Sequence, residues 1–427
     1  MYHFYDYYKE TLTREELDAL QVRRLHNIVG HVMNRNETMR KLFNDAGIEG
    51  PSHIKSLDDI RDLPLLCKDD FRKYYPLELC CVLKTELAEM HMSSGSTGTP
   101  IVMPYTIRDL QQWADCMARC YAMAGAKPGD TAQITPGFGL FNGGFGMYHG
   151  ARARGLFVIP AGAGNTARQI RLAKSFGTRV LGAVVSYAIR IMEELDNESM
   201  KLDELKIGIF GAETMSTNMR KRIENGLNIE AFDIYGMTET GGVGTLGMDC
   251  PEHNGIHVWD DHYILEVLDN KQKPVPDGEV GELVVTSLTR EALPVIRYRT
   301  GDLTKIISRD RCKCGRFHTR IAPVIGRADD MMIVKGVNFF PKQVENALMS
   351  IPGIGNNYQI ILEENDGVLD CRINVEAEAS VSGYMVEKVL KETLGFSPKG
   401  DVFPCGSLPR QEGKAVRVFK QEISKDK

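Results

Sequence analysis

A run of small hydroxylated residues near position 95 has the composition of an anion-binding loop. The run consists of Ser93, Ser94, Gly95, Ser96, Thr97 and Gly98. Hydroxyl side chains and the backbone N–H groups that glycine leaves exposed can together form a concavity that binds phosphate. The run is not a Walker A motif, because no Gly-Lys-Ser/Thr follows a G-x-x-x-x-G frame. Its composition is equally typical of a solvated loop, so other segments must decide between the two interpretations.

Two further segments carry side chains suited to different parts of one nucleotide. In the segment 233–242, DIYGMTETGG, Tyr235 could stack on a purine and the Thr238 hydroxyl could bond a phosphate oxygen. The Glu239 carboxylate in the same segment could hold Mg²⁺. In IRYRTGDL a strand ends at Asp302, whose carboxylate is suited to accept hydrogen bonds from ribose hydroxyls.

Two charged segments follow nearer the C-terminus. Arg327, Asp329 and Asp330 lie in the junction GRADD, and Lys414 follows a glycine in PRQEGKAVR. Singly, each segment is typical of a turn, a salt-bridged surface carboxylate or a solvated charge run. Five such segments in one chain instead favour a single nucleotide site.

The bulk properties describe an ordinary soluble chain with more than one domain. Its 427 residues exceed the roughly 250–300 at which single cores stop growing, and 43% of them are hydrophobic. The net charge of −5 argues against a nucleic-acid binder. The absence of an apolar run of about 18 residues argues against a membrane span. The N-terminus lacks an apolar signal core, so a cytoplasmic location is expected.

The elements that must position the candidate residues have the pattern of an α/β fold. Residues 14–47 show helical apolar spacing after a capping-box start, TREELDAL. Between about 106 and 325, helical stretches alternate with the apolar strands GLFVIPAG, VLGAVVS, LKIGIFGAE and GELVVTSL. This alternation predicts layered α/β structure with a largely parallel sheet and a ligand site beyond the carboxyl ends of its strands.

The residues from 327 onward indicate a separate α+β unit. FFPKQVENALMS predicts a helix with Pro341 in its first turn, and SGYMVEKVLKETLG predicts a helix that ends at a glycine. YQIILEENDGVLDCRINVEAEA predicts two strands joined at a turn. A unit of about 100 residues can fold alone. We therefore predict a large domain over residues 1–326 and a small domain over 327–427.

The order of the motifs resembles the adenylate-forming (acyl-CoA synthetase) superfamily. The motifs are SSGSTGTP, YGMTET, GEL, YRTGDL, GRADD and a late GK. Four longer segments resemble the phenylacetate–coenzyme A ligase family within it: FGLFNGGFGMYHGARARG, GIHVWDDHYILEVLD, TSLTREALPVIRYRTGDL and GRADDMMIVKGVNFFPKQVE. The resemblance spans about residues 5 to 420. It implies a large adenylate-forming domain of layered sheets and helices, which binds ATP and the acid, and a small mobile C-terminal lid.

The resemblance implies an ATP-dependent, AMP-forming ligation of phenylacetate, or a close aryl acid, to coenzyme A. A carboxylate attacks the α-phosphorus of ATP to give an acyl-adenylate and pyrophosphate, and the thiol of coenzyme A then displaces AMP. ATP, Mg²⁺ and coenzyme A are the implied cofactors. The alternatives are indole-acetate or a benzoate-like acid as substrate, or an acyl acceptor other than coenzyme A. A homodimer is compatible with the sequence, which does not set the oligomeric state.

The resemblance also implies a role for each motif residue. Residues 93–98 would hold the β- and γ-phosphates, Thr238 would contact the α-phosphate, and Glu239 would bind Mg²⁺. Lys414 would place its ammonium between the carboxylate and the α-phosphate. The remaining nucleotide contacts would be Gly211, Ala212, Glu213, Asp233, Tyr235, Gly236, Met237, Asp302 and Arg327. Rotation of the lid about Asp329 would clear Lys414 from the path of the thiol.

The segment TPGFGLFNGGFG is the candidate acyl pocket. Phe138, Phe141 and Phe145 offer aromatic surface, and Gly143 and Gly144 let a flat ring approach the backbone. A slot of this kind suits an aryl acid better than a long acyl chain. The alternative interpretation makes two of the three rings ordinary core.

Three of the ten cysteines are candidates for a metal site, whereas the others have the surroundings of buried thiols. Cys312 and Cys314 form a C-x-C loop before a glycine, and Cys250 precedes PEHNGIH. With a histidine they would complete a closed, structural Cys₃His zinc site. His257 is favoured because the resemblance places GIHVWDDH beside the ligand region. The alternatives are His253, His318 and three unbridged thiols without metal.

Overall fold

The computed structural model describes residues 2–93, 99–213, 215–334, 337–365, 368–409 and 416–422. The helices within these ranges are α1 Tyr7–Glu10, α2 Arg14–Arg35, α3 Glu37–Asp45, α4 Lys68–Lys73, α5 Ile107–Met123, α6 Gly143–Arg154, α7 Thr166–Ser175, α8 Val185–Asn197, α9 Thr217–Leu227, α10 Pro341–Met349 and α11 Gly383–Leu394. The strands of the first unit are β1 Glu89–Met92, β2 Val102–Tyr105, β3 Thr131–Ile134, β4 Phe157–Ile159, β5 Thr178–Val184, β6 Ile207–Gly211, β7 Glu230–Tyr235, β8 Gly247–Asp249, β9 Ile256–Val258, β10 Tyr263–Leu268, β11 Gly281–Ser287, β12 Tyr298–Thr304, β13 Ile306–Ser308, β14 Arg320–Ile321 and β15 Gly326–Arg327. The strands of the second unit are β16 Met332–Val334, β17 Val337–Phe339, β18 Ile354–Asn365, β19 Val368–Ala377, β20 Lys399–Pro404 and β21 Val418–Glu422.

A nine-stranded mixed sheet organises the larger unit, in the order β13-β14-β9-β8-β7-β6-β5-β3-β4. The strands from β4 to β7 in this order are parallel, and helices α6 to α9 form their crossovers. The predicted strands GLFVIPAG, VLGAVVS and LKIGIFGAE are β4, β5 and β6 of this parallel half. From β7 outward the pairing is antiparallel.

The fourth predicted strand, GELVVTSL, does not belong to the parallel sheet. It is β11 in a separate antiparallel sheet of order β10-β11-β12-β15. The expectation of a largely parallel sheet up to residue 325 is therefore wrong beyond β7. The connection from β10 to β11 is a short turn segment without a helix, and such connections join antiparallel strands.

The predicted helix over 14–47 is two helices. Thr13 and Glu16 form the expected capping box at the start of α2. The chain then turns at Asn36, whose side-chain oxygen accepts a hydrogen bond from the Met39 amide at 2.8 Å and caps α3. Helix α2 is held to the central structure by Arg14, which pairs with buried Asp260 at 2.6 Å.

The smaller unit has the predicted α+β organisation. A four-stranded sheet of order β20-β19-β18-β21 packs with α10 and α11, and α11 ends before Gly395, whose φ is +80°. A buried apolar cluster runs from α8 and α9 of the larger unit into α10 and β18. The two units therefore share packed surface in this arrangement. None of the described helices is both long and apolar enough to cross a lipid bilayer.

The predicted domain boundary, between residues 326 and 327, falls inside a short strand. Gly326 and Arg327 form β15, which pairs with β12 so that Arg327 lies opposite Asp302. The backbone then makes a short 3₁₀ turn over Ala328–Asp330 before the β16–β17 hairpin. Arg327 is thus attached to the larger unit, and the turn that contains Asp329 follows it.

Candidate functional site

A cavity of about 770 Å³ lies between the two units, beyond the carboxyl ends of β5, β6 and β7. This is where ligands bind in parallel sheets. Eleven residues that the motifs single out line it: Ser93, Ala212, Glu213, Asp233, Tyr235, Gly236, Met237, Thr238, Glu239, Asp302 and Arg327. Gly211 ends β6 immediately before the lining residues. Residues 94–98 and Lys414 lie outside the described residues.

Tyr235, Asp302 and Arg327 form one hydrogen-bonded group in the cavity wall. The Tyr235 hydroxyl donates to Asp302 Oδ2 at 2.6 Å, and an Arg327 guanidinium nitrogen donates to Oδ1 at 2.9 Å. Burial, and then the Asp302 charge, raises the pKa of Tyr235 well above its ordinary value, so its hydroxyl remains a donor. Three segments far apart in the sequence are thereby fixed around one carboxylate that faces the cavity.

Thr238 and Glu239 lie in a tight turn directly after β7. Gly236 permits this turn, because a Cβ there would come within 2.2 Å of the Gly242 carbonyl oxygen. Asn142 donates its side-chain N–H to Thr238 Oγ1 at 2.7 Å, which leaves the threonine hydroxyl hydrogen available to a ligand. Tyr298 lies beside Glu239. Burial is the largest effect that raises the pKa of the Tyr298 hydroxyl, and the Glu239 carboxylate is the second.

Two acidic residues occupy the wall formed by β6 and β7. Glu213 accepts hydrogen bonds from the Ser186 amide at 2.7 Å and the Ser186 hydroxyl at 2.9 Å, which ties the end of β6 to the start of α8. Burial, and then the nearby Asp249 carboxylate, raises the pKa of Asp233 to about 7. The Asp233 carboxyl group therefore changes its charge close to neutral pH.

The phosphate-loop candidate is carried by the β1–β2 hairpin, which flanks residues 94–98. Ser93 lies at the start of the loop, where its amide donates to the Ile101 carbonyl and its hydroxyl accepts from the Ile101 amide, both at 3.0 Å. Arg72 of α4 donates to the carbonyl of Thr99 at 3.1 Å on the other side. Hydrogen bonds therefore hold both ends of the loop, Ser93 and Thr99, and Ser93 lines the cavity.

The motif interpretation missed several residues that line the same cavity. They are Lys68, Asn142, Ser186, Tyr298, Lys342, Glu345, Tyr358 and Arg417. Asn142 had a local signal, because it lies inside TPGFGLFNGGFG, the segment that the sequence indicates as an acyl pocket. Lys342, Glu345 and Tyr358 had none, because the sequence predicts their helix and strand but not the surface on which these elements dock.

The aromatic residues of the candidate acyl segment lie in different surroundings. Phe138 and Phe145 are half-buried, and their ring centroids lie 5.4 Å apart in an edge-to-face contact. Phe141 is 58% exposed and makes no ring contact within the described residues. Gly143 and Gly144 begin α6, and Gly144 is buried. Phe145 also packs against His91 and His149, so its surroundings are less apolar than the sequence indicates.

Cys250, His257, Cys312 and Cys314 meet in one buried cluster. Their ligand atoms all lie within 4.8 Å of one another. The sulfurs of Cys250 and Cys312 are 3.8 Å apart, and Cys314 Sγ lies 3.4 Å from His257 Nε2. Around a tetrahedral zinc ion, two sulfurs lie about 3.8 Å apart and sulfur and nitrogen about 3.6 Å. The observed spacings therefore fit a Cys₃His zinc site.

The other two histidines are engaged elsewhere. His253 Nδ1 contacts an Asp249 carboxylate oxygen at 2.8 Å. The hydrogen bond with Asp249 is the largest of the effects that raise the pKa of His253 to about 9. His318 Nδ1 accepts the Asp260 amide at 3.0 Å, and its Nε2 contacts the Lys9 carbonyl at 3.3 Å. Of the three candidate histidines, the structure brings His257 to the thiols.

Comparison with known proteins assigns the family. The AMP-binding enzyme family matches residues 40–289, and the AMP-binding enzyme C-terminal domain matches residues 336–422. A phenylacetate-coenzyme A ligase from Thermus thermophilus is 37% identical over 433 residues, which cover 96% of this chain and 97% of the relative. The chain belongs to the phenylacetate–coenzyme A ligase family. The predicted adenylate-forming fold and the prediction of a coenzyme A ligase are thus confirmed.

Two solved structures of one coenzyme A ligase relate this family member to states of the reaction cycle. 2-Hydroxyisobutyryl-CoA ligase in its postadenylation state, in complex with R3-HIB-AMP, superposes with a TM-score of 0.91 at 25% identity, over 98% of this chain and 92% of that chain. The same ligase with 2-HIB-AMP and CoA in its thioesterification state gives a TM-score of 0.74 at 26% identity, over 98% and 93%. The arrangement of this family member's two units is therefore closer to the postadenylation state.

Proposed function

We propose that the chain joins phenylacetate, or a closely related aryl acid, to coenzyme A through an acyl-adenylate formed from ATP. The observation that carries the proposal is the convergence of the motif side chains on one cavity between the two units. The names of the curated relatives support phenylacetate over an aliphatic acid.

In this proposal the wall residues bind the nucleotide in the order of its parts. Asp302, fixed by Tyr235 and Arg327, accepts hydrogen bonds from the ribose hydroxyls. Asp233, with residues 211–213 and 235–237, surrounds the adenine. The Thr238 hydroxyl donates to the α-phosphate, because its oxygen already accepts from Asn142. Ser93, with the loop that follows it, contacts the β- and γ-phosphates.

Mg²⁺ would be bound by Glu239. The carboxylate is buried and lines the cavity, and Mg²⁺ prefers oxygen ligands while it retains waters and substrate phosphates. The ion would neutralise phosphate charge when bound. Lys414 would supply an oriented cation beside the α-phosphate in the first step, and the turn that contains Asp329 would let the lid of residues 327–427 rotate for the second.

A panel of acids tests the proposal directly. Pyrophosphate release would be measured with phenylacetate, benzoate, indole-acetate and hexanoate, each with and without coenzyme A. We expect the highest kcat/KM with phenylacetate and AMP release that requires coenzyme A. Faster turnover of hexanoate would reject the aryl acid, and AMP release with an amine in place of coenzyme A would favour the alternative acceptor.

Zinc is the second part of the proposal, with a structural role. A tetrahedral ion bound by Cys250, His257, Cys312 and Cys314 would have no open position. The site would therefore cross-link and stabilise the antiparallel edge of the large sheet. We expect about one zinc per chain after purification without chelators, and a lower Tm for Cys312→Ser than for the wild type. Cys405→Ser, an exposed thiol outside the cluster, is the matched control. A metal content well below one zinc per chain would reject this part.

A further inference from the structure

Lys342 of the smaller unit reaches across to the larger unit at the nucleotide cavity. It follows Pro341 in the first turn of α10, and its Nζ donates to the Val324 carbonyl at 2.6 Å. Val324 precedes β15 and therefore lies on the other side of the Ala328–Asp330 turn. Lys342 also lines the cavity together with Asp233. One lysine of the lid thus contacts the larger unit just before the connector and lines the same cavity as Asp233.

The charges around Asp233 show what this lysine contributes. Asp249, the acidic neighbour of Asp233, is already paired with Arg220 at 2.6 Å and with His253 at 2.8 Å. Two cations lower the pKa of Asp233, Lys342 first and Arg220 second. Arg220 is paired with Asp249. Lys342, in contrast, has no carboxylate within 4 Å among the described residues. Lys342 is therefore the unpaired cation that favours the ionised form of Asp233.

The surroundings of Lys342 on the lid do not neutralise it. Glu345, one turn further along α10, accepts a hydrogen bond from the Tyr358 hydroxyl at 3.2 Å. Burial raises the pKa of Glu345, which disfavours its charged form. Burial lowers the pKa of Lys342, and Asp233 across the cavity opposes this effect more strongly than Glu345 does. Rotation of the lid would remove the ammonium from Asp233.

We propose that Lys342 is a positioning residue that couples recognition of the purine nucleotide to the lid orientation used for acyl-adenylate formation. The inference rests on the proposed function. With the lid in the present orientation, Lys342 favours the ionised form of Asp233, which accepts a hydrogen bond from the exocyclic amino group of adenine. With the lid rotated, Asp233 loses that cation, and the nucleotide is held less tightly when AMP must leave.

The test separates the two half-reactions in Lys342→Met and Lys342→Arg. Adenylate formation is followed as pyrophosphate release without coenzyme A, and thioester formation starts from supplied phenylacetyl-adenylate. We expect Lys342→Met to raise the KM for ATP about tenfold, while the thioester half-reaction changes less than twofold. Lys342→Arg should restore most of the loss, because it keeps the charge. Lys391→Met, an exposed lysine on α11 of the same unit, should match the wild type.

A second comparison keeps the inference testable if Lys342→Met is poorly folded. In the Asp233→Asn background, Lys342→Gln should no longer change the KM for ATP, because the group it acts on is uncharged. An unchanged KM in Lys342→Met, or an equal loss in both half-reactions, would overturn the inference. Failure of the wild type to release pyrophosphate with any acid would instead reject the proposed function.

Discussion

At the scale of single residues, Asp233 shows how burial adjusts a ligand group. Its carboxyl lies beside Asp249, and the two cations that oppose this repulsion, Lys342 and Arg220, come from α10 and α9. The net effect is a pKa of about 7. An ionised carboxylate only accepts hydrogen bonds, whereas the protonated form also presents a donor. In the proposed site, Asp233 therefore accepts a hydrogen bond from the adenine amino group better above pH 7 than below it.

This titration predicts a pH-dependent affinity for ATP. As the pH falls from 8 to 6, Asp233 takes up a proton and the KM for ATP should rise, by roughly tenfold at most per pH unit below the pKa. Asp233→Asn should have a KM for ATP with little pH dependence over this range. The measurement is the initial rate of pyrophosphate release against ATP concentration at each pH. Parallel profiles for the wild type and Asp233→Asn would assign the titration to another group.

At the scale of elements, the start of α6 links the aromatic segment to the turn that follows β7. Gly144 packs so closely on the preceding loop that a Cβ would come within 2.6 Å of the Gly137 carbonyl oxygen and 2.9 Å of that of Pro136. This contact places Asn142, the N-cap residue of α6, where its side chain reaches Thr238 at 2.7 Å. The start of the helix is therefore a structural link between the aromatic segment and the turn that contains Thr238.

Gly144→Ala should weaken this link. Because backbone atoms must move to admit the methyl group, we expect a loss of about 1–3 kcal/mol in the free energy of unfolding, together with slower adenylate formation. Gly139→Ala is the control, since no atom lies within 4 Å of the Cβ it would add. Urea unfolding and single-turnover pyrophosphate release measure the two effects. Equal stability of both variants would show that the loop yields without cost.

At the scale of the whole molecule, the orientation of the two units resembles one state of a related ligase more than another. The TM-scores of 0.91 and 0.74 against two states of one ligase indicate that the present arrangement is closer to the postadenylation state. The interface carries polar contacts such as Asn356 to Arg222 at 3.0 Å and to Glu193 at 3.0 Å. The same interface also contains the apolar cluster that runs from α8 and α9 into α10 and β18.

Lys414→Ala should affect the two half-reactions unequally. Loss of one oriented charge at the reacting phosphate typically costs about 10²–10³ in rate, so adenylate formation should fall by that factor. Thioester formation from supplied adenylate should remain within a few-fold of the wild type, and it serves as the internal control. Equal losses in both half-reactions would contradict the proposed role of Lys414 and the need for lid rotation.

The sequence by itself determined the family, the order of the nucleotide motifs and the local elements that carry them. These properties depend on short-range chemistry: a capping box at Thr13, a proline in the first turn of α10, a glycine after α11 and two thiols on one C-x-C loop. The α+β organisation of the smaller unit was predictable for the same reason. Its elements follow one another along the chain with clear periodicity.

Only the tertiary structure decided which distant groups meet. In the structure His257, and not His253 or His318, lies with the three thiols, and Phe141 is exposed. The segment GELVVTSL belongs to an antiparallel sheet. Asn142 and Lys342 both line the cavity. Local periodicity does not encode these outcomes, because they depend on strand pairing and on how distant parts of the chain pack together. A side chain such as Lys342 reaches the cavity only when its helix packs against α9, more than a hundred residues earlier in the chain.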